Sequence, residues 1–188
     1  MKKLVLSFVA LLMAVSVFAQ DNKEEQPQVR VPNGYQGFVE YGNGWHVFDK
    51  TMPNTFNLST THGFYFNGHM YAGIGMGFDA CSEVIMVPLY ANVRYVFSNK
   101  SAVSPFMGLR LGTYVSEKVG TYGDFAFGVR FASKRDFAVS VMVAASYYDK
   151  LTYTTWEDFQ DEYGDWYNDR VEKTVNPSSI SLRIGIEW

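Results

Sequence analysis

The chain has 188 residues, with 16 basic and 19 acidic side chains, a net charge of −3 and one cysteine. It therefore lacks the basic surface that nucleic-acid binding requires and the paired cysteines of a disulfide scaffold. Aromatic residues make up 17% of the chain, and beyond its first residues no apolar run is long enough for a transmembrane helix, so a membrane location would require strands.

The N-terminal residues have the pattern of a secretory signal. Lys2 and Lys3 form a positive start, residues 4–18 are almost entirely apolar, and small residues precede a cleavage position after residue 19. The predicted signal peptide is therefore 1–19, followed by a polar, flexible periplasmic leader over 20–34. Removing the two lysines leaves 14 basic and 19 acidic residues, which changes the net charge to −5.

Eight short segments with alternating apolar side chains follow in residues 35–188. Successive side chains of a strand point to opposite faces, and each segment is close to the length of a tilted strand that crosses a bilayer. Most of them have one uncharged, apolar face. The predicted strands are Tyr35–Tyr41, Phe56–Phe66, His69–Asp79, Val87–Ser98, Pro105–Val115, Asp124–Ala132, Phe137–Tyr148 and Ser178–Trp188.

The opposite faces of these segments are rich in glycine and carry the charges of the predicted strands. A soluble barrel of the lipocalin type would turn this polar face outward, whereas a transmembrane barrel would turn it inward. The charged residues on this face are Glu40, Asp79, Arg94, Arg110, Asp124, Arg130, Arg183 and Glu187.

Three features favour the membrane alternative. Shorter and longer connections alternate along the chain, as the periplasmic turns and outer loops of transmembrane barrels do. Aromatic residues on the apolar faces gather at both segment ends, with mainly aliphatic residues between them, as expected at two membrane interfaces. The even number of strands permits closure without a free edge. The predicted fold is all-β: an eight-stranded antiparallel up-and-down transmembrane β-barrel over 35–188, with short periplasmic turns and longer outer loops.

The C-terminal run Ser-Leu-Arg-Ile-Gly-Ile-Glu-Trp, residues 181–188, completes a resemblance. With the strand pattern and the alternating loops, it resembles the small eight-stranded outer-membrane barrels of Gram-negative bacteria, the OmpA and OmpX type. The resemblance implies an outer-membrane location, contact with outer-membrane lipid, and a C-terminal signal at Trp188 that the barrel-insertion machinery reads. The terminal aromatic residue of that family is most often Phe. No separate peptidoglycan-binding domain follows the barrel, so that OmpA role is not implied.

The charged residues of the polar face are the first candidate site. An eight-stranded barrel is just wide enough for side chains to fill its interior, and unpaired buried charges are costly. An ion-pair network is therefore predicted, with Glu40 paired to Arg183 or to another arginine. The alternative is a small passive channel or anion-selective pore. The predicted members of the network are Glu40, Arg94, Arg110, Arg130, Arg183 and Glu187.

His62 raises the alternative of an enzyme that modifies lipid. It falls with Thr60 on the predicted lipid face, where either a bulge shifts the register or a neutral imidazole is tolerated. The nearby Ser59 falls on the other face, and no carboxylate is placed to orient the imidazole as a triad requires. The prediction is that the protein is not an enzyme, with no catalytic, cofactor or metal site.

The longest connection, Asp149–Pro177, is the most distinctive exposed element. Its acidic and aromatic residues do not have the spacing of an EF-hand calcium loop. One alternative is a solvated hairpin that extends the two flanking strands. The other is a recognition surface for a surface protein or a glycan, which would give the barrel a structural or surface-interaction role. The candidate recognition residues are Trp156, Phe159, Tyr163, Trp166 and Tyr167.

Overall fold

The computed structural model describes residues 33–46, 54–81, 84–98, 100–115, 120–134, 137–160, 166–176 and 178–188. The predicted signal peptide and nearly all of the predicted leader lie outside these ranges. Among the described residues, none forms a helix that is long and apolar enough to cross a membrane.

The described residues form eleven strands. Most contain alternating buried and exposed positions, as the sequence periodicity predicts. They are β1 Gly34–His46, β2 Thr55–Phe66, β3 Met70–Cys81, β4 Val84–Met86, β5 Pro88–Val96, β6 Val103–Tyr114, β7 Thr121–Lys134, β8 Phe137–Tyr148, β9 Leu151–Gln160, β10 Trp166–Val175 and β11 Ser178–Glu187.

Nine of these strands close into an eight-stranded antiparallel barrel. β4 and β5 count as one barrel strand, because both pair with β3 and only Val87 separates them. β1 pairs with β2 on one side and with β11 on the other, where Val39 faces Ile186, so the first and last strands close the ring. The predicted all-β, eight-stranded antiparallel up-and-down barrel is confirmed.

The barrel has two different ends. The terminal end holds Gly34, Trp188, the turn at 67–69, the last residues of β5 and β7 and the first residues of β6 and β8, and the loop end is the opposite end of the barrel. The polar strand faces point inward: the eight charged residues of these faces are all buried. The outer face is apolar, with exposed aromatic residues near both ends. Such aromatic residues flank the lipid-facing band of transmembrane barrels.

Several strands extend further toward the loop end than predicted. β1 continues to His46 instead of ending at Tyr41, and β7 begins at Thr121 instead of Asp124. The predicted loop Ala80–Met86 is wrong in extent, because β3 and β4 pair within it, Ala80 with Ile85 and Cys81 with Val84. Backbone pairing with a neighbouring strand extended these segments beyond the limits of their apolar alternation.

Candidate functional site

Glu40 lies at the centre of the barrel interior and pairs with two arginines. Its carboxylate forms salt bridges with Arg94 and Arg110, and all three side chains are almost completely buried. The Arg94 guanidinium lies 4.3 Å from the ring centroid of Phe38, and that of Arg110 lies 4.9 Å from the ring centroid of Tyr90. Each cation therefore has a carboxylate partner and an aromatic partner.

Two further ion pairs occupy the interior. Arg130 donates two hydrogen bonds to Glu187, of 2.7 Å from Nε and 2.9 Å from Nη2, in a bidentate arrangement near the terminal end. Arg183 Nη2 donates a 2.6 Å hydrogen bond to Asp124 Oδ2 and contacts the hydroxyl of Ser146 at 3.1 Å. The structure thus brings all six predicted network residues into ion pairs, while Arg183 pairs with Asp124 rather than with Glu40.

Two buried carboxylates complete the charge balance and were not among the predicted network residues. Asp124 is the partner of Arg183. Asp79 instead accepts hydrogen bonds from neutral donors, 2.7 Å from Asn57 Nδ2 and 2.9 Å from the Tyr114 hydroxyl. Counting them, the buried charges of the described residues are four arginines and four carboxylates. Their positions on the polar faces of the predicted strands could have identified both aspartates as members of the network.

Aromatic side chains fill the interior on both sides of this charged centre. Near the terminal end, Arg94 also lies against Phe106, and the buried Phe38, Tyr65 and Tyr71 pack with Phe106, Val96 and Met142. At the loop end, four buried tyrosines pack against one another and against Met86. These tyrosines are Tyr90, Tyr114, Tyr122 and Tyr148.

The tyrosines of the loop end occupy the same strand faces as the charged residues. Because side chains alternate between the two faces of a strand, these tyrosines also point inward. Small residues leave room for them. A Cβ atom added at Gly75 would overlap the Tyr90 ring, and one added at Gly42 would stand 2.5 Å from Cγ of Arg183. Glycines at these positions allow large side chains from neighbouring strands to fill the same layer of the interior.

His62 lies on the outer face without any break in strand register. β2 pairs continuously with β1 and β3 from Thr55 to Phe66, so no bulge shifts it; the register shift of the barrel lies instead between Ala132 and Lys134. The ring nitrogens of His62 contact the Tyr35 hydroxyl at 2.6 Å and the Thr60 hydroxyl at 3.1 Å. Two nearby hydroxyl groups thus form hydrogen bonds with the imidazole. Of the two alternatives, the structure supports an imidazole tolerated on the outer face rather than a bulge.

Trp188 closes the ladder where β1 meets β11. Its backbone N–H and C=O exchange hydrogen bonds of 3.1 and 3.0 Å with Gly37. Its indole lies over Gly37, where an added Cβ would stand 3.0 Å from the ring, and it makes an edge contact with His62 at a centroid distance of 6.3 Å. The terminal side chain therefore spans the junction between β11, β1 and β2.

The longest connection forms a separate two-stranded sheet beyond the loop end, the β9–β10 hairpin. Lys150 has a positive φ of 55° between β8 and β9, and its backbone N–H donates to Asn176 Oδ1 at 2.8 Å. Val175 packs against the tyrosine cluster. Trp156 and Trp166 are 65% and 71% exposed.

The other candidate recognition residues differ from the two tryptophans in exposure or in whether the structure describes them. Phe159 is 37% exposed, and its backbone pairs with that of Tyr167. Tyr163 lies outside the described residues. The hairpin therefore presents two highly exposed tryptophans, while Phe159 is less exposed.

No group of three or more potential metal ligands occurs among the described residues. No protein-family model matches the sequence, and no curated protein matches it.

Several solved structures align with this chain. The crystal structure of Neisserial surface protein A aligns with a TM-score of 0.55 at 14% identity, covering 81% of this chain and 94% of that chain. A de novo designed transmembrane β-barrel aligns at a TM-score of 0.48, with 11% identity, 85% of this chain and 98% of that one. A major outer membrane protein from Thermus thermophilus aligns at 0.42, with 16% identity, 82% of this chain and 98% of that one. The alignment with the Neisserial protein shows that the two chains share a fold, which in this chain is an eight-stranded antiparallel β-barrel.

Proposed function

We propose that this chain is an integral outer-membrane barrel of the OmpA and OmpX type, whose role is structural or lies in surface interactions. The observation that carries this proposal is the filled interior. The Glu40 and Arg183 ion pairs lie between a tyrosine cluster at the loop end and an aromatic cluster near the terminal end, and the Arg130–Glu187 pair lies beside that aromatic cluster. In this proposal the filled interior offers no continuous aqueous path, so the parts of the molecule that meet partners are its outer wall and its loops.

The outer wall supports the membrane location. Exposed aliphatic side chains such as Ile74, Leu111 and Ile184 cover it, although an aqueous environment would strongly disfavour so large an apolar surface. In this proposal, the signal peptide 1–19 is removed during export from the cytoplasm of a Gram-negative bacterium. The insertion machinery then recognises Trp188, and outer-membrane lipid contacts the wall.

The location is tested by fractionation of cells that produce the full chain. We expect recovery with the outer membrane, and faster migration on gels when the sample is not heated, because a closed hydrogen-bonded ladder resists detergent. Recovery as a soluble periplasmic protein would contradict the proposal.

The filled interior predicts the absence of steady ion conduction. Purified protein in planar bilayers is expected to show little conductance, because the buried side chains leave each ion without a hydrated route. The double variant Tyr114→Ala/Tyr148→Ala removes two side chains that fill the loop end, and it tests whether these side chains block a pore. Large, reproducible channels in the unaltered protein would refute the closed interior and favour the channel alternative.

The β9–β10 hairpin is expected to be dispensable for folding. Its two strands form a sheet of their own, apart from the barrel sheet, and its last residue, Val175, packs against the tyrosine cluster. Deleting 156–169 and joining the strands by a short turn should leave the heat-dependent gel shift and the unfolding midpoint unchanged, since surface loops tolerate such changes. A large fall in the yield of folded barrel would show instead that the hairpin is part of the barrel's folding unit.

A further inference from the structure

The net charge of the exported chain is concentrated in the β9–β10 hairpin. Residues 151–175 contain seven acidic and two basic side chains, a net charge of −5. The rest of 20–188 contains twelve of each sign and is neutral. The barrel interior contributes to this balance with four arginines and four carboxylates. The excess negative charge of 20–188 therefore lies in the hairpin, where it can act on a charged partner.

The two exposed tryptophans lie on the same face of this acidic hairpin. Residues directly opposite each other in an antiparallel pair share a face, and Trp156 is opposite Arg170, Asp158 is opposite Asn168, and Trp166 is opposite Gln160. Positions along a strand alternate between faces. We call this the tryptophan face; its described exposed residues are Trp156, Asp158, Trp166, Asn168, Arg170, Glu172 and Thr174.

The opposite face of the hairpin is less exposed along the part of β10 nearest the barrel. On β10, Val171, Lys173 and Val175 are half-buried, in alternation with the exposed Glu172 and Thr174. Val175 packs against the tyrosine cluster. Along this part of β10 the tryptophan face is thus the more exposed one, and farther along the hairpin its two indoles are left largely uncovered.

We propose that the tryptophan face binds a cationic polypeptide, one that presents several lysine or arginine side chains. The proposal deepens the surface-interaction role above and rests on it. Indole is the aromatic ring that attracts ammonium and guanidinium groups most strongly, and neighbouring carboxylates add ion pairs. The Asp158–Asn168 pair lies between the Trp156–Arg170 pair and the Gln160–Trp166 pair, and in the sequence Trp166 directly follows the acidic run 161–165.

Charge complementarity selects this partner among the alternatives. Anionic partners such as nucleic acids or acidic lipid surfaces would be repelled by a hairpin of net charge −5. A neutral glycan would use the indoles but would gain nothing from the concentration of acidic side chains. A cationic polypeptide uses both features, and its association should be steered by charge and weakened by salt.

The test uses the full chain in nanodiscs of zwitterionic lipid and a short fluorescein-labelled oligolysine, followed by fluorescence anisotropy at increasing salt. We expect saturable binding that weakens as salt rises. The double variant W156Q/W166Q keeps every charge and should bind at least about tenfold more weakly, as expected when two tryptophan anchors are lost. The heat-dependent gel shift verifies that each variant is a folded barrel.

A matched pair of charge variants separates the tryptophan face from general acidity. Asp158→Asn removes one charge from the tryptophan face, and Asp169→Asn removes one from the adjacent position on the opposite face. Asp158→Asn should weaken binding several-fold more than Asp169→Asn. Equal effects, or unchanged binding by W156Q/W166Q, would overturn the assignment of the tryptophan face.

Two further probes decide the class of partner. Oligoglutamate and neutral dextran are expected not to bind; if either binds as tightly as oligolysine, the cationic partner is wrong. Failure of the unaltered protein to bind oligolysine overturns it as well. If the same preparation still fractionates with the outer membrane and conducts no ions, the proposed function stands while its cationic partner does not.

Discussion

Replacing Glu40 by Gln is expected to lower the free energy of unfolding by about 3–5 kcal/mol, the cost of removing one partner from a buried ion pair. The carboxylate neutralises both Arg94 and Arg110, so the variant leaves two guanidinium groups close together without their shared anion. The measurement is the denaturant midpoint of the barrel in lipid vesicles, followed by the gel shift of unheated samples.

Asp79→Asn is the matched control, since it also removes one buried carboxylate charge. Asp79 accepts hydrogen bonds from Asn57 and Tyr114, and both donors are neutral. An amide oxygen can accept one of these bonds, so we expect a loss of only about 1–2 kcal/mol. Equal destabilisation by the two variants would contradict the view that the bridge between arginines, rather than carboxylate burial, makes Glu40 important.

Which side chains face the barrel interior was predictable from the sequence, because successive side chains of a strand point to opposite faces. Glu40, Arg94 and Arg183 each alternate with apolar residues, and a barrel that buries them must expose those apolar neighbours. The same rule places Tyr114 and Tyr148 in the interior, although the tyrosine cluster was not among the predicted features.

The choice of partners inside the barrel was not predictable to the same degree. Strand pairing makes Glu40 and Arg183 near neighbours, because Glu40 is directly opposite Gly185 on β11. The pairing of Arg183 with Asp124 depends on how β11, β8 and β7 are staggered around the ring, since Ser146 on β8 contacts both residues. Such stagger is a property of the closed barrel, and the apolar alternation of one segment contains no information about it.

The connection at 82–83 shows the corresponding limit for loops. Its flanking residues Ala80 and Ile85 pair in the ladder of β3 and β4. The apolar alternation of β3 ends at Ala80, because Ser82 is polar, whereas the backbone pairing continues to Cys81. Backbone hydrogen bonds extend a hairpin wherever two strands continue side by side, whichever side chains they carry.

Deleting Trp188 is expected to have the largest effect on assembly. The deletion removes two backbone hydrogen bonds to Gly37 and the indole that lies across the junction of the first and last strands. At about 1 kcal/mol for each hydrogen bond and a similar amount for the ring contact, closure loses roughly 2–4 kcal/mol. The measurement is the fraction of newly made protein that acquires the gel shift in cells.

Two substitutions separate the terminal signal from the packing of the indole. Trp188→Phe keeps an aromatic ring at the last position and should assemble nearly as well as the unaltered chain. Gly37→Ala keeps Trp188 but places a methyl group 3.0 Å from the indole, so the ring must shift. If the insertion machinery reads the terminal aromatic residue, Gly37→Ala should lower the unfolding midpoint and leave the assembled fraction unchanged. Normal assembly of the chain that lacks Trp188 would refute a role for this residue in insertion and leave it only the packing contact with Gly37 and His62.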